Sequence, residues 1–337
     1  MTLKTQPPVV LISPETMRDW EGPHVGLLQG AGFEVRYSRD PRLAQGNLSE
    51  RDTVEELRGV GAVIARGEVF SDGILSALPE LRVIARAGVG YDRVDIASAT
   101  RHGVAVTITP TANHASVAEH TLALVLAVAR SIIPIDRQTR AGHWPLTQPQ
   151  PLRGRTLGIF GLGRIGRSVA IRARAFEMSV LATEAYPDCA FISKHEIELV
   201  DFSTLLARSD VVSLHCPLTE TTRGLFDRQA FARMKAGSVF INTARGPLVV
   251  EEDLVEALRS GRLAAAGVDV FEQEPATPDN PLLELDNVVV SSHRAGNDTR
   301  SVEDMGIEAA RSIVDLYRGR WPSGAVVNDE LREGWRW

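Results

Sequence analysis

The chain is short of cysteine, of positive charge and of long apolar runs, and each shortage closes off a class of function. Only two cysteines, Cys189 and Cys216, occur in 337 residues. They cannot build a disulfide framework, and no Cys or His spacing matches a zinc site, so the expectation is a reducing, cytoplasmic setting and no metal. Lysine and arginine number 37 against 43 aspartates and glutamates, a net charge of -6. Binding a phosphate backbone needs clustered cations, so no nucleic-acid partner is expected. The N-terminal MTLKTQPPVVLIS has neither the apolar core nor the cleavage site of a signal peptide. The most apolar segment, TLALVLAVARSIIPI, is interrupted by Arg130 and is too short to cross a bilayer, so no membrane partner is expected.

What the chain does have is alternation. Its length suits two domains, and 44% apolar residues suffice for two cores. PVVLIS, FEVRYS, GAVIAR, LRVIARAG and VAVTIT read as strands by length, β-branching and flanking Gly or Pro. Helical stretches such as DTVEELRGV and SDGILSALPE lie between them. Strand and helix in alternation predict a parallel sheet covered on both faces. The rhythm then breaks near Thr109 and Pro110. One long apolar helix is predicted from Ala115 to about Gly142, followed by the Pro-rich HWPLTQPQPLRG. Alternation restarts with TLGIFG, SVLATE, IELVD, DVVSLHC, SVFINTA, AAGVDVF and NVVVSSH. Val288 to Val290 read as a buried strand. The last segment, SVEDMGIEAARSIVDLYRGRW, reads as a helix that can pack on either unit.

The second unit opens with a phosphate-binding signature. Gly161, Gly163 and Gly166 keep G-x-G-x-x-G spacing after an apolar strand and before a helix, within LGIFGLGRIGRSVA. Gly161 serves the tight turn, Gly163 lets a pyrophosphate approach the backbone, and Gly166 lets helix and strand pack closely. The first helical turn, with Arg164 and Ile165, supplies unpaired N–H groups for phosphates. Glu184 follows Gly166 by 18 positions, near the offset of an acid that holds ribose hydroxyls. Its charge would repel a 2′-phosphate, and Ala185 and Tyr186 offer no cation, so NAD is the expected cofactor. Three more polar residues stand just past strands: Arg245 in INTARGP, Glu274 in FEQEP and His293 in VVVSSH. Carboxyl ends of parallel strands line the ligand crevice, so this edge would carry a cation, an acid and an imidazole. That set suits hydride transfer on a 2-hydroxy acid. The imidazole exchanges the hydroxyl proton, the carboxylate fixes its tautomer, and the guanidinium grips carboxylate and 2-oxo oxygens. Each residue taken alone also fits a structural reading: Arg245 as a loop cap, Glu274 as part of a solvated acidic face, His293 as a satisfied loop histidine.

The blocks RAGVGYDRVDI, VAEHTLALVLAVAR, GIFGLGRIGRSVA, INTARGPLVVEEDLVEAL and GVDVFEQEP together resemble the D-isomer-specific 2-hydroxyacid dehydrogenase family, in its order and spacing. The resemblance implies an NAD-dependent oxidoreductase, usually a homodimer, acting on a small 2-hydroxy or 2-oxo acid. It implies two doubly wound α/β domains with a cleft between them: a flavodoxin-like substrate domain, 1–109 plus 301–337, and a Rossmann NAD-binding domain, 110–300. It carries the catalytic roles onto Arg245, Glu274 and His293. It places the substrate carboxylate on backbone N–H groups near Val89 and Gly90, with Asn113 a weaker neighbour. Cofactor contacts would come from Val117, His215, Cys216, Pro217, Thr222, Thr243, Ala244 and Asp269. Related formate dehydrogenases carry Gln where Glu274 stands, which speaks against that subgroup. Two departures stand out. Ser292 replaces the family's proline before the histidine, and Arg294 replaces an apolar residue after it. Arg294 either adds positive charge suited to a doubly anionic substrate or faces solvent. The alternatives are a phosphoglycerate-dehydrogenase-like enzyme, with Arg66, Arg86 and Arg294 as possible phosphate partners, and a non-catalytic NAD-sensing corepressor-like protein. His24, His102, His143 and His195 are expected on the surface or in loops, and His114 and His120 to be structural.

Overall fold

The computed structural model describes residues 7–337. It divides into two compact units, Met1–Asn113 with Asn297–Trp337, and His114–Gly296. The sequence boundaries at 109/110 and 300/301 thus sit a few residues from the contact boundaries at 113/114 and 296/297.

In unit 1, β1 (Val9–Ile12), β2 (Glu34–Tyr37), β3 (Ala62–Ala65), β4 (Val83–Arg86) and β5 (Ala105–Thr107) form a parallel sheet in the order β2-β1-β3-β4-β5. This is the flavodoxin-like order. β1, β3 and β4 are buried on both faces, which is why they read as unbroken apolar runs. Alternate side chains then feed two cores. Val10, Ile12, Ile64, Val83 and Ala85 pack under the helices Pro23–Gly30 and Thr299–Tyr317. Leu11, Val63 and Ile84 belong to the opposite core with Ile74 and Leu75. The C-terminal helix therefore belongs to unit 1. It explains one error of the sequence reading: His24 is fully buried, not at the surface. Gly306 of that helix makes the room, since a Cβ there would lie 3.1 Å from the His24 ring. The partner lies some 280 residues away, so no local pattern announces it. The terminal aromatics also fold onto unit 1: Trp337 packs on Phe33 and Tyr317, and Trp335 on Trp321, its indole N–H donating to Gly103 O at 2.9 Å.

In unit 2, β6 (Thr156–Phe160), β7 (Ser179–Thr183), β8 (Glu198–Leu199), β9 (Val211–Leu214), β10 (Ser238–Asn242), β11 (Leu263–Val268) and β12 (Val288–Val290) form a second all-parallel sheet. Its order, β12-β11-β10-β9-β6-β7-β8, is the Rossmann order with one strand added. The two fold assignments from sequence hold. β12 is an edge strand, however, and Val288 to Val290 are only partly covered, with Val290 40% exposed. The predicted long helix is two: His114–Ala129 and Ile132–Arg140, bent by 59°. Pro134 lacks the N–H that would bond to the Arg130 carbonyl one turn back, and Ser131 takes a left-handed φ of 51° at the break. Among the described residues no single helix is long and apolar enough to cross a membrane.

Candidate active site

The glycine turn of unit 2 follows β6, beside β9, where the strand order reverses; ligands of open α/β sheets bind at such points. Gly161 has φ +98°, and a Cβ there would lie 2.7 Å from the His215–Cys216 peptide. A Cβ on Gly166 would lie 2.1 Å from Gly161 O, so the helix Arg164–Ala175 presses directly on the turn. Gly163 is different: nothing lies within 4 Å of its Cβ position, and it offers the helix no side-chain cap. One glycine makes the turn, one packs the helix, and one leaves an open face over unpaired N–H groups, as a pyrophosphate requires. Arg164 is exposed and Ile165 half-buried in that first turn. Glu184, just past β7, accepts from Leu162 N at 2.6 Å and from Tyr186 N at 2.9 Å. A carboxylate has about four acceptor positions, so capacity remains for ribose hydroxyls. These residues fit a dinucleotide.

The loop after β9 holds His215, Cys216 and Pro217. Burial pulls the His215 imidazole down to about 3, so it is neutral near pH 7, and its Nε2 shares a hydrogen bond with Ser213 Oγ at 2.9 Å. Burial pushes the Cys216 thiol up to about 12, which makes it inert as a nucleophile. Thr222 Oγ1 accepts from Thr219 N at 2.8 Å and donates to Pro217 O at 2.9 Å, closing the turn between them. Val117 is buried on the helix His114–Ala129; its carbonyl accepts from Thr121 Oγ1, which also bonds Thr243 Oγ1 at 3.0 Å.

The structure brings Arg245, Glu274 and His293 onto three neighbouring segments of unit 2. Asn242 ends β10, and its side chain clamps the next turn, accepting from Ala244 N at 3.0 Å and donating to Arg245 O at 2.9 Å. Gly246 follows, and a Cβ there would fall 1.9 Å from the Phe271 carbonyl. Only glycine lets this corner lie against the segment that carries Glu274. Glu274 Oε1 accepts from Phe271 N at 3.1 Å, while Oε2 meets His293 Nδ1 at 2.8 Å. A carboxylate only accepts, so Nδ1 carries the proton and Nε2 is the acceptor of the neutral ring.

Asp269 has a role beyond the one given by resemblance. It follows β11, is fully buried, and its carboxylate accepts from Ser291 Oγ at 2.5 Å, Arg294 N at 2.8 Å and Ala295 N at 2.9 Å. Its carbonyl accepts from His293 N at 2.7 Å. Ser116 Oγ donates to Ala295 O at 2.8 Å, and His120 Nε2 lies 2.8 Å from Ser291 Oγ. Because Ser291 spends its proton on Asp269, His120 must be the donor to Ser291. This web holds His293 at φ +53°, a left-handed conformation costly for a non-glycine residue. Sequence reasoning missed Asn242, Ser116 and Ser291; His120, expected to be structural, has that role here through its bond to Ser291. The signal for Ser291 lies in strand register: Val268 pairs with Val290, so Asp269 and Ser291 come next to each other one step on.

Ser292 and Arg294 are exposed. Arg86, offered as a phosphate partner, is instead buried in unit 1: its Nε donates to Gly90 O at 3.1 Å, its Nη2 to Arg66 O, and its Nη1 lies 3.7 Å from the buried Glu68 carboxylate. An arginine held by an acid and two carbonyls is a structural clamp. Arg66 donates to Asn297 Oδ1. Past β4, Gly88 takes φ +144° and exchanges hydrogen bonds with Thr109. The N–H groups of Val89 and Gly90, next along, make no hydrogen bond among the described residues. Asn113 is buried, with its Oδ1 unpartnered.

Residues 122–295 match the family model described as D-isomer specific 2-hydroxyacid dehydrogenase, NAD binding domain. The chain is 41% identical over 275 residues to a D-3-phosphoglycerate dehydrogenase of Archaeoglobus fulgidus, covering 81% of this chain and 52% of that protein. It is also 41% identical over 267 residues to a glyoxylate reductase of Thermofilum pendens, covering 77% and 78%. Among solved structures, the TT0316 protein from Thermus thermophilus superposes with a TM-score of 0.83 at 34% identity, over 95% of this chain and 99% of that one. The chain spans about half the length of the phosphoglycerate dehydrogenases it matches.

Proposed function

The chain belongs to the D-isomer specific 2-hydroxyacid dehydrogenase family, and from that footing we propose that it interconverts a D-2-hydroxy acid and its 2-oxo acid with NAD(H). The glycine turn and Glu184 would hold NAD(H), which would supply the hydride chemistry at the carbinol carbon. His293 takes the hydroxyl proton at Nε2 in oxidation and gives it back in reduction. Glu274 holds the ring in the needed tautomer and stabilises the imidazolium that forms. Arg245 pairs with the substrate's carboxylate and 2-oxo oxygens. The Val89 and Gly90 amides of unit 1 suit a carboxylate. The observation that carries the reading is the 2.8 Å contact between His293 Nδ1 and Glu274 Oε2, held in a backbone conformation that costs free energy to keep.

The test is NADH oxidation with a panel of 2-oxo acids, beside NADH binding by fluorescence. Turnover with one class and its loss in His293→Asn, binding retained, is the expected result. Binding without turnover on any panel member would favour the corepressor-like alternative. A phosphorylated 2-oxo acid belongs in the panel because Arg294 is exposed and directly follows His293 on the segment held by Asp269.

The same proposal makes the protein a homodimer in the cytoplasm. In unit 2, Ile132 (52%), Ile133 (46%), Trp144 (82%) and Leu146 (91%) are exposed within one short stretch, apolar surface that a second copy could cover. Light scattering should give twice the chain mass, and Trp144→Glu should lower it. Two unpaired cysteines suit a reducing compartment.

A further inference from the structure

The sequence offers no cation after Glu184 to receive a 2′-phosphate, yet the fold brings one there. Arg167, one residue past the last glycine, donates from Nε to Leu162 O at 3.0 Å and from Nη1 to Asp188 Oδ2 at 2.8 Å. Its guanidinium stands over the Phe191 ring, 5.2 Å from the centroid. Glu184 binds the N–H of the same Leu162. Glutamate and arginine therefore hold the two polar groups of one residue in the glycine turn. Arg167 and Asp188 are both only partly covered, 33% and 40% exposed. Asp188 caps the next helix through Oδ1, on Phe191 N at 3.1 Å, and these contacts keep its carboxyl below the usual aspartate range and charged.

We propose that Arg167 is a latent receptor for the 2′-phosphate of a dinucleotide and that Asp188 masks it, so that Asp188, together with Glu184, sets the choice of NAD over NADP. The charges on Glu184, Asp188 and Arg167 sum to -1 at this corner. Neutralising Asp188 brings the sum to zero, and neutralising Glu184 as well brings it to +1. Each step changes the field on a dianionic phosphate by one charge, about tenfold in affinity at partly exposed positions. The nicotinamide end is untouched. This inference rests on the reading of unit 2 as an NAD-binding domain.

The test measures NADH and NADPH binding by fluorescence on the full chain, without turnover. Asp188→Ser keeps a helix-capping hydroxyl but removes the charge. It should tighten NADPH about tenfold, leave NADH within about threefold, and lose part of the gain at high salt. Adding Glu184→Ser should tighten NADPH about tenfold more. Adding Arg167→Met to Asp188→Ser should cancel the gain. If Arg167 only props the glycine turn, that double variant loses NADH and NADPH alike, and the proposal fails. It also fails if Asp188→Ser, or Asp188→Asn should the serine variant not fold, binds NADH normally and NADPH no better than the parent. A parent chain that binds neither dinucleotide overturns the NAD-binding reading itself, a separate outcome.

Discussion

The two units solve one architectural problem with different chemistry. Both are doubly wound parallel sheets, and both put polar residues past the carboxyl ends of their strands. Unit 2 offers side chains there: Arg245, Glu274 and His293, held by Asn242, Asp269, Ser116 and His120. Unit 1 offers main chain. The Val89 and Gly90 amides are its open donors, and the nearby arginine, Arg86, is consumed in holding the loop shape. A site made of side chains can be altered one residue at a time. A site made of backbone is indifferent to most substitutions and sensitive to those that change the chain path.

Four measurements sharpen or break that contrast. His293→Asn should lower kcat by about a thousandfold while NADH affinity stays within about threefold; loss of a positioned acid–base is worth 10²–10⁴-fold, roughly. Intact turnover would remove the proton role from His293. Asp269→Asn puts an amide N–H against donors that need an acceptor. It should cost unit 2 about 3 kcal/mol in a denaturant melt and lower kcat with it; an unchanged melt would show that the loop is held by something else. In unit 1, Val89→Ala should leave the KM for the 2-oxo acid within about threefold. Val89→Pro, which deletes the N–H, should raise it by about thirtyfold, the loss of a charge-assisted hydrogen bond. Equal effects of the two would refute the backbone reading.

The smallest effect is on acid stability. Burial holds His24 in unit 1 and His215 in unit 2 below the ordinary histidine value, the latter at about 3. Unfolded, each titrates near 6.5, roughly, so below that pH the unfolded chain binds more protons. Stability is therefore whole above about pH 6.5 and is lost as pH falls toward the folded values. Both His24 ring nitrogens are buried without a partner. His24→Leu should raise Tm more at pH 5 than at pH 8, by a few degrees, about one kcal/mol or less. A recovery equal at both pH values would point to packing rather than titration.

The same contrast explains what the sequence disclosed. All twelve strands showed in it, the central ones because buried parallel strands write themselves as apolar runs. The glycine turn was legible in its spacing, and Arg245, Glu274 and His293 were legible as polar residues just past strands, but only the resemblance to the family carried the roles onto them, since each alone also fits a structural reading. The web around Asp269 was not, since it depends on register between β11 and β12 and on a helix 150 residues earlier, roughly the span from Ser116 to Asp269. The burial of His24 depended on a helix from the far end of the chain. The break at Ser131 was legible in Pro134 and was passed over because the apolar run continued across it. Arg86 read as a charge and proved to be a clamp: an arginine in sequence does not say whether an acid such as Glu68 lies underneath.

The aromatic tail folded onto unit 1 has an optical consequence. Trp20, Trp321, Trp335 and Trp337 all lie in that unit, and unit 2 holds only Trp144, already 82% exposed. Indole emission therefore follows unit 1 almost alone. A fluorescence melt should trace its unfolding while a helical circular-dichroism signal follows both units, so divergence between the two curves would read out, without any label, which half of the molecule gives way first.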